Sequence, residues 1–284
     1  MVKKEVVSKW IYPLKKKSVQ DDIKRLMDET GLSFPEVSIL YNRGIKTKED
    51  IEFMLYGNLN DLHNTALMKD AEKGVDKIIE HLKAGNLIVN YSDYDADGFG
   101  SSVTFSRLMR KLGAEVGIFI NTRTMGYGMS IEGIDKLLEK YPDTKLIVTT
   151  DNGIMAFEAV EYAISKGIDV VVTDHHEASA DGRVPNAHAV INPKQEDCKY
   201  PFKELCGAGV IFKLMMLLYY KLGKNPKECY EVIDVVAMST VGDVVPLVDE
   251  NRIIVKAGLE EINKEEKLIW KVMREVFSDN FKPI

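Results

Sequence analysis

The sequence predicts an α/β fold in which helices flank a parallel β-sheet, and two observations lead to this prediction. Short β-branched apolar runs alternate with helical segments between Leu87 and Pro193, and such runs are typical of strands buried on both faces of a parallel sheet. Three of these runs are followed at once by acidic segments, namely Asp93-Tyr94-Asp95-Ala96-Asp97, Asp151-Asn152-Gly153 and Asp174-His175-His176. The alternation therefore predicts right-handed crossovers, with the acidic segments at strand ends.

The chain before the first strand is predicted to be helical. Three pairs of residues have the spacing of a helix capping box: Ser18 with Asp21, Ser33 with Glu36, and Thr47 with Asp50. Each segment is followed by a glycine that suits a helix C-terminus, at Gly31, Gly44 and Gly57. A longer helix is predicted over Ala71–Lys83, because its apolar residues fall on one face.

The remaining elements follow from the same patterns. Strands are predicted at 87–92, 115–120, 145–150, 168–173 and 188–192, and helices at 99–112, 130–140, 153–166 and 208–222. Further helices are predicted at 226–240, 251–262 and 265–276. We therefore expect a helical N-terminal region over 1–84, an α/β domain over 85–246 and a helical C-terminal segment over 247–284. The sequence leaves open whether this last segment packs against the sheet or follows it as a linker.

Composition narrows the class of protein. The 284 residues include 45% hydrophobic residues, an ordinary value for a soluble globular protein. No apolar run has the length of a membrane span, and no signal-peptide pattern opens the chain, so we expect no membrane contact. The three cysteines are odd in number and lack metal-type spacing, which favours a reduced, cytoplasmic setting; they are Cys198, Cys206 and Cys229.

Charge gives two opposing indications about a nucleic-acid partner. The net charge is −6, which argues against a long groove for a polyanion, although bound cations would cancel part of the acidic cluster. The first 17 residues are locally basic, with six lysines against Glu5 alone. These residues form either a solvated terminus or a basic arm that contacts phosphates.

The acidic segments predict a divalent-metal site. Because ligands of open α/β sheets bind outside the carboxyl ends of the strands, we expect these side chains to converge there. Five carboxylates and two imidazoles would repel one another unless cations held them together. Oxygen ligands with imidazole suit Mn²⁺ or Mg²⁺, and two such ions about 3.5–4 Å apart form the arrangement that cleaves phosphoesters.

These segments resemble the DHH phosphoesterase superfamily, and most closely its RecJ-like branch of single-strand-specific 5′→3′ exonucleases. A fourth motif of that family is seen as Ser239-Thr240-Val241-Gly242-Asp243-Val244-Val245-Pro246. Further similar segments are Tyr41-Asn42-Arg43-Gly44-Ile45, Asp61-Leu62-His63, Gly126-Tyr127-Gly128 and Ile191-Asn192-Pro193-Lys194. The resemblance covers about residues 40–259 and implies two-metal hydrolysis of single-stranded DNA, with the DHH catalytic domain over 85–246.

The resemblance also implies roles for individual residues. Asp95 and Asp97 correspond to metal ligands, one for each ion, and Asp151 to the ligand that bridges both ions. His175 and Asp243 correspond to further metal ligands. The other positions correspond to residues beside the metals: His176 at the scissile phosphate or leaving group, Asp174 orienting an imidazole, and Asp93 nearby. Tyr91 stands where many relatives outside this branch carry a histidine ligand, so one ion is expected to have fewer protein ligands.

Two loops are candidates for binding the substrate. Arg123 could hold a phosphate and Tyr127 could stack on a base, although an incidental surface loop is the alternative. The segment Cys206-Gly207-Ala208-Gly209 opens a helix, where it serves either as a second anion site or as a place of tight packing.

Two other functions stay open at this stage. One is hydrolysis of short oligonucleotides, cyclic dinucleotides or pyrophosphate, and the other is an inactive replication scaffold. The family's downstream Gly-Gly-His domain and oligonucleotide-binding barrel are not seen before Ile284, so a protein partner that supplies further DNA binding is also considered.

Overall fold

The computed structural model describes residues 16–264 and 266–276. Most of the basic N-terminal segment, residues 1–15, lies outside the described residues, so the basic-arm hypothesis stays a prediction. The chain divides into two compact units between Gly57 and Asn58. The domain limits predicted at residues 84 and 246 also stay a prediction.

The first unit contains three helices, α1 (Lys17–Thr30), α2 (Phe34–Asn42) and α3 (Lys48–Tyr56). They enclose a small apolar core made of Ile23, Leu26, Val37, Leu40, Ile45, Ile51 and Met54. The capping box of Ser33 and Glu36 is confirmed, and Thr47 accepts a hydrogen bond from the Asp50 amide at 3.1 Å. The cap predicted at Ser18 is wrong, because α1 begins one residue earlier and Lys16 is its N-cap.

The second unit is built on a five-stranded, wholly parallel sheet, as predicted. Its strands are β1 (Leu87–Ser92), β2 (Val116–Ile120), β3 (Thr144–Thr150), β4 (Asp169–Thr173) and β5 (Ala189–Ile191). Their spatial order is β2-β1-β3-β4-β5. The chain reverses its direction of winding between β1 and β3, so the crevice for a ligand lies beyond the ends of these two strands.

Helices cover both faces of this sheet. On one face α4 (Ala71–Lys83), α5 (Ala96–Lys111) and α8 (Gly207–Lys221) pack against Ile88, Leu146 and Val171. On the other, α6 (Ile131–Lys140) and α7 (Phe157–Ser165) pack against Val89, Ile147 and Val170. Successive strand residues thus enter opposite cores, which explains the unbroken apolar runs.

The C-terminal helices belong to the same core. A 3₁₀ segment (Pro226–Val232) leads into α9 (Ile233–Gly242), where one continuous helix over 226–240 had been predicted. The next helix, α10 (Asp249–Asn263), contributes Ile254 and Val255 to the core on the α8 face of the sheet. The last helix, α11 (Leu268–Val276), is attached through the Trp270 indole, which donates to Asp234 of α9 at 2.7 Å. These helices therefore pack with the sheet and are not a linker.

In the part of the chain that the structure describes, no helix combines the length and apolar character needed to cross a membrane.

Candidate metal centre

The segment after β1 places two carboxylates in different surroundings. Asp95 is the N-cap of α5, and its Oδ1 accepts from the Gly98 amide at 2.9 Å. Asp97 lies in the first turn of α5 and is buried. Its two oxygens accept from the amides of Gly207 at 2.5 Å and Ala208 at 3.0 Å. The N-terminus of α8 therefore holds Asp97, and the anion site considered for this segment is already occupied by a side chain of the chain itself.

The segment after β3 gives Asp151 an unusual backbone. Its φ of 61° lies in the left-handed region, which residues other than glycine rarely adopt. Asp151 is 1% exposed and lies against the start of α8, where a Cβ on Gly207 would come within 2.7 Å of Asp151 Oδ1. The helix predicted from residue 153 begins only at Phe157. The Ile154 amide, which lies where that helix was predicted to begin, instead donates to Asp174 Oδ2 at 2.8 Å.

The first histidine of the pair lies at the centre of the carboxylates. His175 Nε2 is 3.1 Å from Asp151 Oδ1, 3.6 Å from Asp243 Oδ2 and 3.7 Å from Asp97 Oδ2. Asp243 reaches this point from the C-cap of α9. The next residue, Val244, has a φ of 59°, which is strained for a β-branched side chain. Four elements of the second unit thus deliver one nitrogen and three carboxylates to one place.

Hydrogen bonding does not account for this arrangement. Within the described residues, both oxygens of Asp151 and both ring nitrogens of His175 are buried and lack a hydrogen-bond partner. The 3.1 Å approach of His175 to Asp151 is close enough for an ion pair but lacks hydrogen-bond geometry. Buried polar atoms are nearly always paired, so atoms left without partners indicate a missing ligand. Oxygen and imidazole donors converging in this way fit a hard divalent cation.

The electrostatics agree with that fit. Burial raises the pKa of Asp97 and raises that of Asp151 well above its ordinary value, with neighbouring carboxylates adding to the effect. Burial also raises the pKa of Asp243 and lowers that of His175. The site therefore disfavours an accumulation of uncompensated charge, and positive ions would reverse the shifts of the carboxylates.

The second histidine has different partners. His176 Nδ1 lies 2.7 Å from Asp174 Oδ1, and the Tyr127 hydroxyl lies 2.9 Å from Nε2 and 3.1 Å from Nδ1. Burial lowers the pKa of His176, but the bond to Asp174 outweighs it and the net shift is upward. Burial raises the pKa of Asp174, but the same bond and contact with His176 make the net shift downward. An ionised Asp174 only accepts, so Nδ1 carries a proton and Nε2 is left to exchange one with its surroundings.

The predicted substrate residues lie on the loop after β2. Tyr127 is 56% exposed, and its ring meets that of His176 edge to face at 5.4 Å. The Arg123 guanidinium lies 5.8 Å from the centre of the Tyr94 ring, so a cation–π contact holds it beside the β1 segment. Both side chains are thus next to segments that carry the acidic residues.

The structure brings together most of the predicted site residues. Ligand atoms lie within 4.8 Å of one another in two groups, Asp151 with His175 and His176, and Asp97 with His175 and Asp243. Asp93 and Asp95 belong to neither group, and both oxygens of the buried Asp93 lack a hydrogen-bond partner among residues 16–264 and 266–276. The metal-ligand roles predicted for these residues stay predictions.

Other residues support the site through contacts that the sequence did not predict. Asn192 donates to the His176 carbonyl at 2.8 Å, and Gly207 makes room for Asp151. The run Cys206-Gly207-Ala208-Gly209 and the pair Asn192-Pro193 were visible in the sequence, but nothing local showed what they would contact.

Buried carboxylates and imidazoles at the switch point of a parallel sheet define an α/β domain with an acidic site. A family model described as the DHH family, N-terminal domain, matches residues 87–240, so the chain belongs to this family.

Several proteins similar to this chain are RecJ exonucleases. Single-stranded-DNA-specific exonuclease RecJ of Bacillus subtilis is 36% identical over 250 residues, which cover 88% of this chain and 30% of that protein. RecJ of Thermus thermophilus, solved in complex with Mn²⁺, matches with a TM-score of 0.75 and 26% identity, over 93% of this chain and 36% of that one. Exonuclease RecJ bound to manganese matches with a TM-score of 0.67 and 32% identity, over 76% and 54%. The chain spans well under half of the length of the curated relatives it matches.

Proposed function

We propose that this chain is a metal-dependent phosphodiesterase that degrades single-stranded DNA from the 5′ end. The observation that carries the proposal is the convergence of Asp97, Asp151, Asp243 and His175, with partnerless atoms on two of them. The similarity to RecJ exonucleases, which are named for their action on single-stranded DNA, supports the substrate.

The resident ions are proposed to be two Mn²⁺ or Mg²⁺ ions. Solved RecJ structures contain Mn²⁺ in one case and Mg²⁺ in another. In this chain Asp97, Asp151, Asp243 and His175 would hold the ions, together with the exposed Asp95. When bound, such ions lower the pKa of a water molecule and stabilise negative charge on the phosphate.

The remaining residues act around the reacting phosphate. Asp174 fixes the ring of His176 through Nδ1, so that Nε2 can give a proton to the leaving 3′-oxygen of the terminal nucleotide. Tyr127 contacts that nitrogen and is placed to meet the substrate as it enters. Arg123 is proposed to bind a phosphate and Tyr127 to stack on a base. Asp93 is buried and precedes Asp95 and Asp97 in the chain. It is proposed to support the metal ligands from a neighbouring position.

A digestion panel tests the proposal. Single strands labelled at the 5′ or the 3′ end, blunt duplexes, dinucleotides and cyclic dinucleotides are incubated with Mn²⁺, Mg²⁺ or EDTA. We expect mononucleotides released from the 5′ end of single strands, and none with EDTA. Release only from dinucleotides or cyclic dinucleotides would move the chain to the small-substrate function, which its net charge of −6 favours.

Metal uptake separates an enzyme from an inactive scaffold. Calorimetry with Mn²⁺ should show tight binding that is lost in Asp151→Asn. A chain that takes up no Mn²⁺ would be a scaffold, whatever its fold.

The cellular setting is also a proposal. The three free cysteines are all buried, which suits a reduced cytoplasmic compartment. A protein partner that supplies further DNA contacts is proposed because the chain itself is acidic. Co-purification with tagged protein in the presence and absence of nuclease would test for it.

A further inference from the structure

The loop that carries Arg123 and Tyr127 is tied to the sheet by one side-chain amide. Asn121 follows β2 and is 2% exposed. Its Nδ2 donates to the carbonyls of Gly126 at 2.8 Å and Gly128 at 2.7 Å. Its own backbone amide donates to the carbonyl of Ser92 at 3.0 Å, at the end of β1. One side chain thus closes the ring of residues from 121 to 128 at its base.

Tyr91 supports the same side chain from β1. Its hydroxyl lies 3.3 Å from Asn121 Oδ1 and 3.5 Å from the Gly128 carbonyl, so its single proton is shared between them. The ring is fully buried, and a Cβ on Gly133 of α6 would come within 2.0 Å of the hydroxyl. Because Gly133 has no Cβ, it leaves room for the hydroxyl on the side of β1 that faces α6. The hydroxyl's contacts with Asn121 and the Gly128 carbonyl hold the loop.

The far end of the loop contacts the reacting side chains. The Tyr127 hydroxyl lies 2.9 Å from His176 Nε2 and 3.4 Å from the Asp151 carbonyl. Gly126 and Gly128, on either side of Tyr127, have φ values of 85° and 78°, which allow the tight path of the backbone. The clamped carbonyls are those of the two glycines that flank Tyr127. Movement at the clamp is therefore transmitted directly to the residue that touches His176.

We propose that Asn121, supported by Tyr91, is a positioning residue that holds the 122–128 loop over the site and sets Tyr127 against His176. This inference rests on the proposed function for its kinetic consequence, but the clamp itself does not depend on it. Loss of the clamp should weaken binding of the strand end, because the loop would have to be ordered by each incoming substrate. It should leave Mn²⁺ affinity unchanged, since both polar atoms of the Asn121 side chain are bonded to Tyr91 and to the loop carbonyls.

The test combines kinetics with a double-mutant cycle. Asn121→Ala should raise KM for single-stranded DNA about tenfold, the scale of losing a paired hydrogen-bond clamp, and change kcat less. In a Tyr127→Ala background the same substitution should change KM by about threefold or less, because one of the two substrate contacts proposed for the loop is already lost. Equal losses in both backgrounds, or a parallel fall in Mn²⁺ affinity, would overturn the proposal.

A matched control and an activity-free measurement complete the experiment. Asn90→Ala removes another buried amide, which donates to the Val148 carbonyl and Thr150 Oγ1, and it should show no coupling to Tyr127→Ala. Hydrogen exchange of the 122–128 amides should be faster in Asn121→Ala and in the milder Tyr91→Phe, and unchanged in Asn90→Ala. Unchanged exchange in both loop variants would refute the clamp. A clamp seen by exchange in a chain that hydrolyses no DNA would refute the proposed function alone.

Discussion

Asp151 combines three features that destabilise a folded chain on its own. Its backbone is left-handed, its side chain is buried, and other carboxylates surround it. A raised carboxyl pKa means that the folded state binds the proton more tightly than the unfolded chain. Stability without metal therefore falls as pH rises from the unfolded pKa, about 3.9, through the folded one. We therefore attribute these features of Asp151 to metal binding, which comes at a cost in the stability of the metal-free protein.

The substitution Asp151→Asn should separate stability from function. Asparagine keeps the shape, tolerates a positive φ and removes the charge, so we expect the metal-free protein to gain about 1 kcal/mol, or about 2–4 °C in Tm. Hydrolysis should fall by at least about 100-fold, the scale of losing a main electrostatic element. Thermal unfolding in EDTA at pH 5 and pH 8 measures the first effect, and the gain should be larger at pH 8. A variant less stable than wild type at both pH values would contradict this account.

The two histidines should respond differently to removal. His175→Ala should weaken Mn²⁺ binding, because Nε2 lies among three carboxylates. His176→Ala should leave Mn²⁺ affinity nearly intact and lower turnover, because its ring is bonded to Asp174 and Tyr127. Isothermal titration and single-turnover kinetics on both variants provide the check. If both substitutions abolish Mn²⁺ binding equally, the division of roles is wrong.

At the scale of elements, the start of α8 organises the site. Its first amides hold Asp97, and Gly207 leaves the space that Asp151 fills. The sequence predicted the helix and its glycine-rich start, but not that its N-terminus would receive a carboxylate from α5, 110 residues earlier in the chain. Contacts of such sequence separation follow from the sheet order, which local patterns do not contain. The late start of α7 has the same origin, since Asp174 from β4 takes the Ile154 amide.

The substitution Gly207→Ala should damage the site more than the fold. The added Cβ would lie 2.6–2.8 Å from three side-chain atoms of Asp151, so that carboxylate must move. We expect Mn²⁺ affinity to fall at least about tenfold while the circular dichroism spectrum is retained. Gly209→Ala is the matched control on the same helix, because its Cβ would meet only the Leu205 and Cys206 side chains, at 3.2 Å or more. Equal Mn²⁺ affinity in the two variants would show that Asp151 does not depend on this space.

A buried ion pair fixes α10 against α8. Lys213 Nζ lies 2.8 Å from Glu250 Oε1, and both side chains are at most 1% exposed. Glu250 also accepts from the Tyr200 hydroxyl and the His63 amide. Glu250→Gln should destabilise the second unit by about 3–5 kcal/mol, since it leaves the Lys213 charge buried and uncompensated. The double variant Lys213→Met with Glu250→Leu should recover much of that loss. Urea unfolding of the three proteins measures this, and a neutral Glu250→Gln would contradict the prediction.

At the scale of the whole molecule, the sequence was most informative where burial determines which residue types an element contains. Strands flanked on both sides by apolar helices need unbroken β-branched runs, and the limits of all five strands were predicted to within two residues. Acidic residues after those runs were placed at one edge, because parallel strands share an edge. What the sequence could not show were the supports, such as Asn121 with Gly126 and Gly128, because a buried amide looks like any other polar residue in a loop.

The net charge of the molecule determines how strongly its binding to DNA is expected to depend on salt. With a net charge of −6, the chain should contact few phosphates. Each phosphate of a single strand contributes about 0.7 to the slope of log K against log salt, so we expect a slope no steeper than about −3. Fluorescence anisotropy of labelled single strands with the Asp151→Asn variant measures this without cleavage. Adding Arg123→Ala should make the slope shallower by about 0.7, if that guanidinium binds one phosphate.

Weak binding to the strand should make cleavage by this chain distributive. A strand held by few phosphates dissociates between cuts, so partly shortened products should accumulate before the substrate is used up, and an excess of unlabelled strand should stop further shortening at once. Duplex ends should be poor substrates, because Asp97 and Asp151 are only 1% exposed and a single strand can approach such buried carboxylates more easily than a duplex. Processive degradation in the presence of such a trap, together with a steep salt slope, would mean that this acidic chain has an extended DNA groove of its own.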